Sequence, residues 1–231
     1  MFSVATDWNP KQQKLRQALT NKGDIKEAIR LCFDLHSIVH SAVVYSETSP
    51  SLFDEIYNDL SCEVFRMPLS KGNGFERKAT IAWDIWHITR IEDITVNILI
   101  ADEMQVLDEA WLKRLGITVK ETGNAMCDEE ILHFSRTLNP EVLREYRNAV
   151  GMRTREILNR LTPQDIKRKF GPNSIARILS EGGVTEDKKS IWLLDFWGKK
   201  NVAGILLMPV TRHQIVHLNE CVRIKASYQR K

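Results

Sequence analysis

Six histidines stand in this 231-residue chain, and two pairs of them, His36/His40 and His213/His217, repeat the spacing His-x-x-x-His. Four residues of α-helix turn through about 400°, so both imidazoles of such a pair leave one face, a turn apart. That placement suits two adjacent ligands on one metal ion, each ring offering a nitrogen at about 2.0–2.1 Å. The same spacing is also common in plain helix cores and surfaces. On a helical projection His213 and His217 share their stripe with Leu206, Glu220 and Ile224, and not with Arg212, Asn219 and Arg223. The residue after His213 is Gln214, so the pair lacks the general base of His-Glu-x-x-His, and a metalloprotease is not expected.

His87 sits mid-stripe among Trp83, Ile91 and Ile94. One reading is a core histidine bonded to a neighbour. The other places it in the same interior as His213 and His217, where three neutral imidazoles would make a preformed divalent site with open positions, the catalytic pattern. Glu220 is the candidate to orient His217 or accept a proton, since metal-bound imidazoles donate their other N–H to a carboxylate or carbonyl. Its plain alternative is a solvated charge paired with Arg223 or Lys225. His36 and His40 lie on the buried stripe of an earlier helix. Three readings stand for the pair: completing the metal site, flanking it, or simply making hydrogen bonds inside the bundle. His40, nearer that helix's end, is expected to border the site, behind a ligand or facing substrate, without being an obligatory ligand. His133 has no companion and reads as a surface or structural residue, and Trp83 and Trp86 read as core packing in preference to the lining of a substrate pocket.

The elements that must position these side chains are helical. Four segments carry a three-and-four-residue apolar period: about 24–47, 78–101, 140–161 and 209–226. Asn139 can cap the third and Pro140 suits its first turn; Pro209 is expected to open the fourth. Shorter helices are expected near 108–115 and 128–138, and Thr162-Pro163, Gly171-Pro172 and Gly182-Gly183 punctuate the connection 162–200. Strand signals are nearly absent, and no Ser/Gly or Pro-rich linker divides the chain. The expected fold is therefore all-α, one domain, a four-helix bundle with helical insertions.

Composition narrows the function further. The 33 basic and 30 acidic residues nearly cancel, and no Lys/Arg run exceeds three, so neither nucleic acid nor an anionic membrane is an expected partner. The four cysteines, Cys32, Cys62, Cys127 and Cys221, are scattered and form no Cys-x-x-Cys pair, which argues against a thiolate zinc site or a disulfide framework and fits a reducing cytosol. The N-terminal residues hold no apolar stretch of signal-peptide length, and no apolar run approaches a membrane span. A cytoplasmic protein is expected.

The segment TIAWDIWHITRIEDITVNIL, with Arg90-Ile91-Glu92-Asp93 after His87, resembles the second helix of the DinB/YfiT-like family. NVAGILLMPVTRHQIVHLNECVRI is similar to that family's last helix, except that Asn219-Glu220 stands where Gly-Gln is usual. The resemblance implies an up-down-down-up four-helix bundle, often dimeric, with a divalent metal held by His87, His213 and His217. The better-understood members look like S-transferases using low-molecular-weight thiols, and a distant relative is a mycothiol-dependent isomerase. Two functions are then in view. One is a metal-dependent thiol transferase or hydrolase acting on a small molecule through Zn²⁺ or Ni²⁺, since imidazole suits both. The other is a stress-associated binding or scaffold protein whose metal site is structural or vestigial.

Overall fold

Every residue from Ala79 to Ile100 is buried. A helix with one face on a core would leave its other side wet, so this segment is enclosed all round. The computed structural model, which describes residues 2–20, 24–69 and 78–229, shows why. The chain is all-helical, with two isolated β-bridges as its only strand pairing among the described residues. Its main helices are α1 (Asn9–Thr20), α2 (Ile25–Val39), α3 (Ile81–Asp93), α4 (Pro140–Asn159), α5 (Val202–Leu207) and α6 (His213–Gln229). Helix α3 runs on into a wider, π-type stretch, Ile94–Ala101. It packs against α4 and α6, and α2 in turn touches α4 and α6, so the four long segments close a ring. The insertions cover what remains: Asp128–Thr137 lies on α3, and Pro172–Ser180 lies on the Ile94–Ala101 stretch. No described helix is long and apolar enough to cross a membrane.

Local chemistry sets the boundaries. Thr80 caps α3 through its hydroxyl, which accepts from Trp83 N–H at 3.0 Å. Asn139 caps α4, accepting from Glu141 and Val142 ahead of Pro140 in the first turn. The expected 24–47 helix stops at Val39, where His40 turns extended and Ser41 caps a short new helix, Ala42–Tyr45. The last helical run begins earlier than Pro209, at Val202, capped by Asn201.

Proline falls inside that run because one backbone N–H and three side chains take over the carbonyls around it. Met208 N–H donates to Ile205 O, Thr211 Oγ1 donates to Leu206 O, Gln12 Nε2 to Leu207 O, and Gln214 Nε2 to Pro209 O. Pro209 thus sits in a wide turn, Met208–Arg212, between α5 and α6. Gln12 comes from α1, a helix the sequence reading did not anticipate, which packs on α2 and α5.

A three-histidine cluster as candidate metal centre

Helix α3 brings His87, and α6 brings His213 and His217, to one place. One ring nitrogen from each lies within 4.8 Å of the others, and the ring centroids are 4.6–5.0 Å apart. His87 is buried, whereas His213 and His217 are half-buried, so the cluster sits at the edge of the core with one side reachable from solvent.

What lies behind each ring fixes its orientation. His87 Nδ1 is 2.7 Å from Thr122 O, a carbonyl that can only accept, so Nδ1 carries the proton and Nε2 keeps its lone pair. Trp83 stacks on the His87 ring, with centroids 4.7 Å apart and planes 10° from parallel. His217 Nδ1 is 2.6 Å from Asp84 Oδ1, a fully buried carboxylate one turn before His87 on α3. Its Nε2 makes no hydrogen bond among the described residues. His213 Nδ1 is buried and has no hydrogen-bond partner. Burial, followed by the neighbouring His217 and His87, holds the His213 pKa well below the usual histidine value, so the ring is neutral at pH 7. Two rings with their outer nitrogens tied back and a third with an unpaired buried nitrogen fit a divalent ion.

The support for His87 is a strip of backbone. Four successive carbonyls, of Lys120, Glu121, Thr122 and Gly123, face Arg90 Nε, Trp86 Nε1, His87 Nδ1 and Trp83 Nε1, at 2.7–3.2 Å. An extended strip thus runs antiparallel to one stripe of α3. Gly123 is required there: its φ is +82°, and a Cβ would lie 2.5 Å from Trp83 Nε1. Trp83 and Trp86, read from the sequence as core, are buried and also hydrogen-bonded to this strip.

Glu220 is half-buried beside His217: one of its carboxylate oxygens, an oxygen of Asp84 and a nitrogen of His217 lie within 4.8 Å of one another. Burial, then the charge of Asp84, raises its pKa. Asp84, not Glu220, takes the His217 N–H. The signal for Asp84 was its position three residues before His87; Thr122 acts through a carbonyl and gave none. Cys221 is buried within 3.9 Å of Asp84 Oδ2, and burial pushes its thiol pKa well up, so it is no nucleophile.

His36 and His40 belong to a second, fully buried cluster. Their Nε2 atoms lie 2.8 and 2.9 Å from the two different oxygens of Glu92, to which Thr154 also donates at 2.7 Å. The rings are stacked, 3.9 Å apart and 21° from parallel, so each addresses its own oxygen. Tyr45 OH bonds His36 Nδ1 at 2.6 Å, and the His40 Nδ1 edge lies against Gly151, where a Cβ would come within 2.5 Å. Burial pushes the His40 pKa down to about 3, and the two imidazoles hold Glu92 well below the usual carboxylate range. Glu92 is thus an ionised carboxylate held by three donors. The partners of His40 are here and not among His87, His213 and His217. His133 is exposed, on the Asp128–Thr137 helix.

Comparison with curated proteins gives no match. The family model of the DinB superfamily matches residues 47–221, three-quarters of the chain, taking in His87, His213, His217, Asp84 and Glu220 while leaving out His36 and His40. Over that span, with an all-helical fold and histidine clusters able to hold a metal, the chain belongs to the DinB superfamily.

Proposed function

We propose that the protein is a divalent-metal-dependent enzyme, a thiol S-transferase or a hydrolase, whose ion is held by His87, His213 and His217. The observation that carries the reading is the pair of outer partners. Thr122 O and the Asp84 carboxylate each accept the Nδ1–H of one imidazole, which makes the opposite nitrogen of His87 and His217 the one that offers a lone pair to an ion. A bound Zn²⁺ or Ni²⁺ would lower the pKa of a thiol or water so that a nucleophile is present at neutral pH.

The chain's own groups do the remaining work. Asp84 carries a negative charge next to His217 and offsets part of the charge of the ion. Trp83, stacked on His87 and 6.1 Å from His217, forms an aromatic wall that holds both rings and excludes water from one side. Glu220, with its raised pKa, is placed to take a proton from an incoming thiol or water and to return it to a leaving group.

The test is a thiol titration of Co²⁺-substituted protein. A shift of the visible absorption on adding a small thiol, lost in His213→Ala, supports an open, thiol-binding centre. A spectrum that no thiol changes marks a closed, structural ion and overturns the enzymatic reading.

A further inference from the structure

The strip that holds His87 has a second side. There, residues 112–137, together with Thr185 and Asp187, enclose a groove of about 1010 Å³. Its floor is apolar, formed by Leu112, Ile117, Val119, Met126 and Phe134. Around it stand four carboxylates, Glu121, Glu129, Glu130 and Asp187, against one ammonium, Lys113. None of the four has a salt-bridge partner among the described residues. Glu121 is half-buried and accepts the Gly123 N–H at 2.6 Å; Glu130 accepts the Cys127 N–H and Asp187 the Lys189 N–H, each at 2.7 Å. These backbone bonds fix three of the four in place, Glu129 being exposed; burial raises the Glu121 pKa against the pull of the Gly123 N–H and Arg90, and Lys189 acts on Glu130, so the rim is acidic in balance.

An apolar floor rewards burial of a hydrocarbon body. The rim selects the charge of what that body carries: an anion meets a surplus of like charge, a neutral ligand leaves that surplus unmatched, and a cation matches it. We propose that this groove is a binding site for an organic cation with an apolar body, an aromatic or aliphatic amine or quaternary ammonium. It is separate from the three histidines but shares the Val119–Met126 segment with them. Glu121 lines the groove while its carbonyl takes the Trp86 N–H, and the next carbonyl holds His87. A ligand seated there touches the outer face of the strip whose inner face holds the metal ligand.

The experiment is calorimetric titration of metal-free protein with benzyltrimethylammonium, and separately with benzenesulfonate, at low salt. Because no metal is present, its failure leaves the three-histidine reading untouched. The expected result is one site for the cation and none for the anion. Glu129→Lys with Asp187→Lys, both exposed, should weaken cation binding about tenfold, and Ala125→Trp should abolish it by filling the groove. Circular dichroism shows whether each variant is folded, and where Ala125→Trp is not, the charge variant carries the test alone. The proposal is overturned if the cation does not bind, if benzenesulfonate binds as well, or if binding is unchanged in the folded charge variant.

Discussion

Asp84 Oδ1 and His217 Nδ1 lie 2.6 Å apart, joining the first turns of α3 to the first turns of α6. The same helix turn that supplies the carboxylate supplies His87 three residues on, so one short segment gives a metal-ligand candidate and the group that orients its partner. Asp84→Asn keeps the shape and removes the charge. It should lower metal affinity by about 10–100-fold, measured by competition with a chromogenic chelator, with the helical content unchanged. Equal affinity in Asp84→Asn would show that the Asp84–His217 hydrogen bond is structural.

The backbone strip gives a second prediction. Gly123→Ala forces a side chain onto a position of φ +82° and against the Trp83 indole. The backbone alone should cost about 1–2 kcal/mol, read as a lower melting temperature, and the displaced strip should loosen the hold of Thr122 O on His87 and weaken metal binding. A variant that melts lower with unchanged metal affinity would separate the strip from the site.

The second cluster predicts a pH dependence of stability. His40 titrates near 6.5 in the unfolded chain and at about 3 when folded, so the unfolded state binds the extra proton between those values. Its contribution is therefore complete above about pH 6.5 and declines as pH falls toward 3, with a slope of up to about 1.4 kcal/mol per pH unit. Glu92, also depressed, acts with the same sign: its contribution is present above the ordinary carboxylate value of 4.5 and lost below it. Urea midpoints measured from pH 7 to pH 4 should fall, and His40→Gln should flatten the upper part of that fall.

Glu92→Ala leaves His36, His40 and Thr154 donating to nothing in a sealed interior, and should cost about 3–5 kcal/mol. Metal content should be unchanged in any variant that still folds. Loss of metal from folded Glu92→Ala would tie the two clusters together.

Much of this was legible in the residues themselves. Periodicity placed α2, α3 and α4, and Asn139-Pro140 marked the start of α4 to the residue. The stripe shared by His213, His217 and Glu220 is the one that faces His87. Other features depend on partners distant in sequence. Pro209 reads as a helix start until Gln12, Thr211 and Gln214 are seen bonding the carbonyls around it. Helix α1 carried its own weak signal, Asn9-Pro10 before Leu15 and Leu19. The stripe on α3 looked amphipathic, yet its polar side is buried too, because Arg90 and Asp93 are matched there by Tyr146, Gln105 and the backbone of Val106 and Leu107. His40 shares a stripe with His36, but only the position of Glu92 decides that the pair faces a carboxylate.

The most direct test of the central claim is elemental analysis of untagged protein after metal loading and exhaustive dialysis. One divalent transition-metal ion per chain is expected in the wild type and in His133→Ala and His40→Ala, and stoichiometric loss in each of His87→Ala, His213→Ala and His217→Ala. Full metal content in folded His213→Ala, or none in the wild type, would contradict it.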